Sequence, residues 1–241
     1  VTIANGGGVS HGGGIHASDV DLTVRGSRIV GNSATSTGGG IYSDSVLRII
    51  DSEISDNVAA SCGGGVSIFQ TKDGNIVEIL NSTISGNNGN SAGGGIYLQL
   101  EDENEPGGTY VIVSSTITNI VADNSGNDDI GGDDLLSTSK NNLLRSGASG
   151  GLTATVGNGN ILLTGSNTAR LTSLDFHGGP TRTHALYSNS AAIDAGDDAI
   201  AALYDLEFDQ RGFRRPVDWD TLAGDDTDIG AVELAFVEEY T

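Results

Sequence analysis

The chain has 241 residues, with 32 Asp and Glu against 11 Lys and Arg, for a net charge of −21. That balance argues against nucleic acid, whose phosphates need clustered Lys and Arg, and against an anionic lipid surface. The 37 glycines and 5% aromatic content argue against a compact aromatic core, three prolines without a Gly-X-Y period exclude collagen, and no apolar run approaches the ~18 residues of a membrane helix.

There is no methionine and the sequence opens at Val1, so a removed leader or an origin in a longer protein is expected. Cys62 is the single cysteine, so no intrachain disulfide forms.

A repeat organises the first half. Triple glycines start at Gly12, Gly38, Gly63 and Gly93, spaced 26, 25 and 30 residues apart, and each is followed by Ile15, Ile41, Val66 or Ile96. A second signature recurs as Ser27–Asn32, Ser52–Asn57 and Ser82–Asn87, with a fourth copy at Ser115–Ile120 that lacks the Asn. Between them lie the alternating pairs Leu22/Val24, Leu47/Ile49, Val77/Ile79 and Tyr110/Ile112. Period 2 means strand. Roughly 25 residues at ~3.3 Å each make one coil of a parallel β-helix, with about three short strands per coil. Coils stack at ~4.8 Å. The predicted class is therefore all-β: a right-handed parallel β-helix of ~25-residue coils. A β-propeller is the alternative, but its repeats run nearer ~40 residues.

Stacking predicts inward columns of Ile15, Ile41, Val66 and Ile96, and of Ile29, Ile54, Ile84 and Ile117. Asn32, Asn57 and Asn87 are expected to form an amide ladder at a corner, where Asn also tolerates left-handed backbone. The glycines supply positive φ at another corner. Polar insertions at Thr71–Asn75 and 101–108 read as corner loops.

Residues 124–175 read as degenerate coils, with short strand candidates at 142–144, 152–156 and 161–163. The β-helix is thus placed at residues 1–190. Residues 191–241 read as an acidic C-terminal cap over an otherwise bare edge.

At these residues the chain resembles known proteins. Gly93–Tyr97 and Ile84–Asn87 resemble the paired repeats of chlamydial polymorphic outer-membrane proteins, with Ile in place of their Phe. Gly178–His184, Ala192–Gly196, Asp209–Pro216 and Asp228–Glu233 resemble bacterial β-helix surface proteins with a choice-of-anchor Q type C-terminal region. The resemblance covers essentially the whole chain. It implies an extracellular or bacterial cell-surface location and brings no catalytic residues.

Asp128-Asp129 and Asp133-Asp134 are carboxylate pairs of the kind that act on glycosidic bonds. No partner group lies near them, so a solvated turn is the plainer reading. Arg211, Arg214 and Arg215 among Asp209, Asp218, Asp228 and Glu233 read as an ion-pair network that holds the cap, rather than as a lyase base. His11, His16, His177 and His184 lack metal-site spacing. Asn81-Ser82-Thr83 fits a glycosylation sequon inside the repeat. Asp225, Asp226 and Asp228 form a candidate Ca²⁺ site, though without EF-hand spacing, and no cofactor is required.

The residue after each inward Ile or Val points outward. Stacking therefore puts His16, Tyr42 and Tyr97 on one face, with Ser67 between. Rings on a rigid strand face can stack on sugars; an exposed strand position is the plainer reading.

The expected function is a secreted or cell-surface, non-enzymatic protein of adhesion, surface structure or extracellular assembly. Its partners are a surface glycan or another protein, without nucleic acid and without membrane insertion. The alternatives are a polysaccharide lyase or glycoside hydrolase of the β-helix class, and a passive spacer of a longer surface protein. The first coil, with Ile3, Val9 and Ile15 at its edge, is expected to be covered by upstream residues or by end-to-end association.

Overall fold

A computed structural model describes residues 1–70, 76–100, 109–113, 115–118, 129–135, 139–145, 160–163, 170–215 and 227–234. The corner insertions at 71–75 and 101–108, the strand candidate at 152–156, and Asp128, Asp218, Asp225 and Asp226 lie outside the described residues.

The chain is an all-β solenoid whose sheets are all parallel. Its first coil holds β1 (Thr2–Ala4), β2 (Val9–His11), β3 (Ile15–Ala17) and β4 (Leu22–Arg25). The second holds β5 (Arg28–Val30), β6 (Ser33–Thr37), β7 (Ile41–Ser43) and β8 (Leu47–Ile50). The third holds β9 (Glu53–Ser55), β10 (Val58–Ala59), β11 (Val66–Gln70) and β12 (Ile76–Leu80). The fourth holds β13 (Thr83–Ser85), β14 (Asn88–Gly89), β15 (Ile96–Leu100) and β16 (Thr109–Val113). Then come β17 (Thr116–Thr118), β18 (Ile130–Gly132), β19 (Leu143–Arg145) and β20 (Ile161–Leu163).

Each complete coil therefore has four strands where the sequence reading gave about three. The extra leg, β2, β6, β10 and β14, is short and built from residues such as Ser33, Ala59, Asn88 and Gly89. It carries too few alternating apolar residues to stand out as strand.

The register matches the repeat alignment. Ile15, Ile41, Val66, Ile96 and Ile130 are successive partners in one sheet. Ile3, Ile29, Ile54, Ile84, Ile117, Leu144 and Leu162 are successive partners in another. The pairs Leu22/Val24, Leu47/Ile49, Val77/Ile79 and Tyr110/Ile112 align in a third. Ile29, Ile41, Leu47, Ile49, Ile54, Val66, Val77, Ile79, Ile84, Ile96, Ile130 and Leu144 form one buried core, with Ile3, Ile15 and Leu22 packed against it.

Two hydrogen-bonded ladders clamp the coils. Asn32 donates from its backbone N and its Nδ2 to Oδ1 of Asn57, at 2.9 and 3.0 Å. Asn57 does the same to Asn87, at 3.0 and 2.9 Å. The left-handed residue at this corner is the one before each Asn: Gly31, Asp56 and Gly86, with φ of 63°, 57° and 67°. That corrects the expectation that the Asn itself adopts the bend. Placed after the turn, its amide lies along the stacking direction, where its oxygen and nitrogen meet the coils on either side.

The second ladder is serine. The backbone N of Ser27, Ser52 and Ser82 donates to Oγ of Ser52, Ser82 and Ser115, at 3.1–3.2 Å. Asn142 and Asn160 continue the column. At the glycine corner, Gly38 has φ 66°, and a Cβ on Gly39 would lie 2.4 Å from the carbonyl oxygens of Gly64 and Val58. The triple glycine thus supplies the expected positive φ and, at Gly39, room for the close passage of neighbouring backbone.

The described part of the C-terminal segment lies along the flank of the seven-stranded sheet (β1, β5, β9, β13, β17, β19, β20) and begins by Arg170. Phe176 sits against Arg28 of the second coil. Arg182 bonds Glu53 in the third, and His184 bonds Ser85 in the fourth. Leu186, Ala192 and Ile229 pack on the outward Leu143. Helix α1 (Asp198–Leu203), N-capped by Asp197, contributes Ala201 to a cluster with Leu80. This placement buries an outer sheet face that would otherwise be exposed, and it ties the second coil to β19.

Candidate functional site

The sheet of β3, β7, β11, β15 and β18 carries the outward column His16, Tyr42, Ser67, Tyr97 and Gly131, in register. His16 is exposed and the tyrosines are half-buried. Ser67 is buried, its hydroxyl donating to the Cys62 carbonyl at 3.1 Å. The gap above Ser67 is filled by Phe69, whose ring lies 5.5 Å from Tyr42 and 6.0 Å from Tyr97. His11 joins from β2, at 5.1 Å from Tyr42 and 6.2 Å from His16, and His16 is 5.0 Å from Tyr42.

The structure thus brings His16, Tyr42 and Tyr97 into one row and adds His11 and Phe69. Phe69 was readable: it lies two residues after Ser67, so alternation puts it on the same face. His11 was not, because it comes from the unrecognised leg. Tyr42 and Phe69 are stacked at 27°, so each occupies part of the other's face. Burial, then Asp44 nearby, raises the Tyr42 hydroxyl above its ordinary pKa. Burial, then Cys62 and Asp133, do the same for Tyr97. Both phenols stay neutral donors.

A second polar cluster fills the joint between solenoid and C-terminal layer. Glu53 is fully buried, paired with Arg28 at 2.6 Å and with Arg182 at 2.6 Å. Burial alone would raise its pKa, but hydrogen bonds from Arg28, Arg182 and Ser55 outweigh that and hold it below the usual range. His184 Nε2 meets Ser85 Oγ at 2.9 Å and its Nδ1 meets the Thr172 carbonyl at 2.8 Å. Burial lowers its pKa, so the ring is held neutral. Gln210 bridges Thr83 and Thr181.

The C-terminal network is structural in its contacts. Asp209 accepts from Arg211 Nε and Nη2 at 2.8 and 2.6 Å. Arg215 is buried, 3.4 Å from Glu233, and donates to the carbonyls of Asp228 and Gly230. Arg214 is exposed and contributes a backbone bridge to Phe208, so the buried guanidinium is that of Arg215. Asp228 accepts backbone N–H groups from Asp194 and Leu234 on its two oxygens. Burial pushes its pKa up to about 6.

Asp225 and Asp226 fall outside the described residues, and among the described residues no three His, Cys, Asp or Glu come together as a metal site. Asp129 is buried, Asp134 is exposed and Asp133 is intermediate. Asn81 of the sequon is buried, and its amide donates to Asp51 and to the Phe208 carbonyl, which leaves no room for a glycan. His177 contacts Thr172, and Cys62 lies beside Ser61. No helix of the described residues is long and apolar enough to cross a membrane.

Comparison with protein-family profiles, curated proteins and solved structures finds no match.

Proposed function

We propose that the chain is a secreted or cell-surface protein, a right-handed β-helix of the choice-of-anchor Q type, that acts without catalysis in adhesion or extracellular assembly. Its binding face is the sheet carrying His16, Tyr42, Phe69 and Tyr97, and its partner is a surface glycan. One observation carries this reading. Among the described residues, four groups with shifted protonation, Glu53, Asp197, Asp228 and His184, lie in the joint and the C-terminal layer, held in structural pairings. Perturbed groups gathered in a cleft would point to catalysis. Here the accessible chemistry is a row of rings on a rigid face, suited to apolar contact with sugar rings.

The test is binding of the purified chain to an immobilised glycan panel, alongside incubation with pectin and alginate. Retention that drops in Tyr97→Ala is expected, with no release of unsaturated uronate. Glycan cleavage abolished by Asp133→Asn would overturn the non-enzymatic reading. A chain that binds no glycan would leave the passive spacer.

A further inference from the structure

The rings of the open face follow one another at a regular step. Centroids lie 5.0 Å apart from His16 to Tyr42, 5.5 Å from Tyr42 to Phe69 and 6.0 Å from Phe69 to Tyr97. Each of four successive coils thus carries one ring, and the row runs along the solenoid axis in steps close to the ~4.8 Å strand spacing. Neighbouring planes are tilted by 50°, 27° and 49° in turn, and Tyr42, Phe69 and Tyr97 are each half-buried, so no ring is wholly covered by its neighbour. The strands that carry these three, β7, β11 and β15, are internal to their sheet, which fixes the spacing. Tyr42 and Tyr97 end in hydroxyls two coils apart, with the apolar Phe69 between them. Among the described residues neither hydroxyl is bonded to a protein group, and no Lys or Arg lies in the row. Asp44, near Tyr42, already accepts Ser18 Oγ and the Asp19 backbone N–H, both at 2.6 Å, so it asks for no cation from a ligand.

From this spacing we infer that the ligand of the face is an uncharged, ribbon-like glycan, a β-1,4-linked chain of pyranose rings lying parallel to the solenoid axis; this narrows, and rests on, the glycan reading above. Such a chain, fully extended, advances by close to one coil spacing per sugar, so each sugar meets one ring of the row. It also turns each sugar over relative to the last, so the same hydroxyl-bearing edge returns on every second sugar. Tyr42 and Tyr97 then meet equivalent edges, where their hydroxyls both donate and accept, and Phe69 makes apolar contact with the sugar between. Chains linked α-1,4 or β-1,3 coil, and drift out of step with a straight row. A ribbon of uronates keeps step but is repelled by the net charge of −21. Because paired strands hold the rings in place, little ordering of the protein opposes binding.

Isothermal titration of the full chain tests this with hexamers of β-1,4-linked glucose, β-1,4-linked N-acetylglucosamine, α-1,4-linked glucose, β-1,3-linked glucose and β-1,4-linked mannuronate. At least one of the first two is expected to bind at least about tenfold more tightly than any of the other three. Its affinity should rise steeply from dimer to tetramer and little beyond, because four coils carry rings. Phe69→Ala should weaken it by about tenfold and Phe69→Tyr should restore it, with thermal unfolding confirming that each variant is folded. Tyr97→Phe removes a single hydroxyl and should weaken binding by about threefold, which decides the matter if Phe69→Ala fails to fold. An α-1,4 or β-1,3 hexamer bound as tightly overturns the ribbon inference and leaves the glycan reading standing. Hexamannuronate bound as tightly overturns the uncharged class. Ribbon binding left unaltered by the Phe69 and Tyr97 variants overturns its assignment to this face. No binding of any probe overturns both the ribbon inference and the glycan reading.

Discussion

Arg182 and Glu53 lie 129 residues apart in the chain, and the Arg182 backbone N–H and Nε each donate to a different oxygen of the Glu53 carboxylate, at 2.8 and 2.7 Å. The same guanidinium reaches Ser55 and Asp56 through Nη2. A loop-borne arginine thus reads three positions of one solenoid coil and fixes where the C-terminal layer sits.

Removing that carboxylate should release the layer. Glu53→Ala leaves Arg182 and Arg28 facing each other, and breaking a buried pair in this way costs about 3 kcal/mol. Glu53→Gln should cost less, because it retains an acceptor. Denaturant unfolding gives the totals, and amide exchange at Thr181–Ala185 shows whether the loss is local. An unaltered midpoint in Glu53→Ala would mean that the joint contributes nothing to stability.

The inward columns make a sharper demand. Ile54 is fully buried between Ile29 and Ile84. Ile54→Ala should cost about 3 kcal/mol through lost burial and a cavity that strands on both sides prevent from closing. Ile54→Asp should abolish folding, since it places an unpaired charge there. Val58→Ala, four residues on and 44% exposed, should cost far less by thermal melting. Similar losses for Ile54→Ala and Val58→Ala would contradict the burial assigned to the column.

The amide ladder gives a third expectation. Asn57 accepts two hydrogen bonds from Asn32 and donates to Asn87 and the Ile29 carbonyl, all in the interior. Asn57→Ala strands partners on both sides and should cost at least about 2 kcal/mol. Asn57→Asp keeps the acceptor, loses the donor and buries a charge, so it should be no milder. An Asn57→Ala variant melting within a degree or two of the wild type would show that the neighbouring coils close over the gap.

How far the sequence carried can be traced to particular residues. The columns of Ile15 and Ile29 were legible because each repeat places one β-branched residue at a fixed offset from a glycine or asparagine landmark. Ser27, Ser52, Ser82 and Ser115 stood in plain view in each signature, but a serine is common enough on any strand that its ladder needed coordinates. The flank docking was hidden for another reason. Glu53, Ser55, Thr83 and Ser85 flank the inward Ile54 and Ile84, so alternation alone puts them outward, and only the contacts of Arg182, His184 and Gln210 reveal that the face is covered. On the open face, Tyr42 and Tyr97 came from repeat arithmetic. His11 joined them from a leg too short and polar to be seen as strand.

Asp228 titrates in the opposite direction from His184, Glu53 and Asp197. Asp228 faces Asp194, Arg215 and Glu233, and burial raises its pKa from 3.8 to about 6. The folded chain therefore binds this proton more tightly than the unfolded chain does. Taken alone, Asp228 makes folding more favourable as pH falls from about 6 towards 4. His184, facing Thr172, His177 and Arg182, is held below its ordinary 6.5, so its contribution is complete above that pH and is lost as pH falls through its folded value. Glu53 and Asp197 are also held below their ordinary values and lose their contributions only further into acid. In the wild type, Asp228 offsets His184 as pH falls from about 6 towards 4. Asp228→Asn removes the offset, so its unfolding midpoint should fall more steeply over that interval than the wild type's. His184→Gln should flatten or reverse the slope. Denaturant midpoints at pH 7, 6, 5 and 4 decide the matter: parallel curves for wild type and Asp228→Asn would show that Asp228 does not take up a proton in that range.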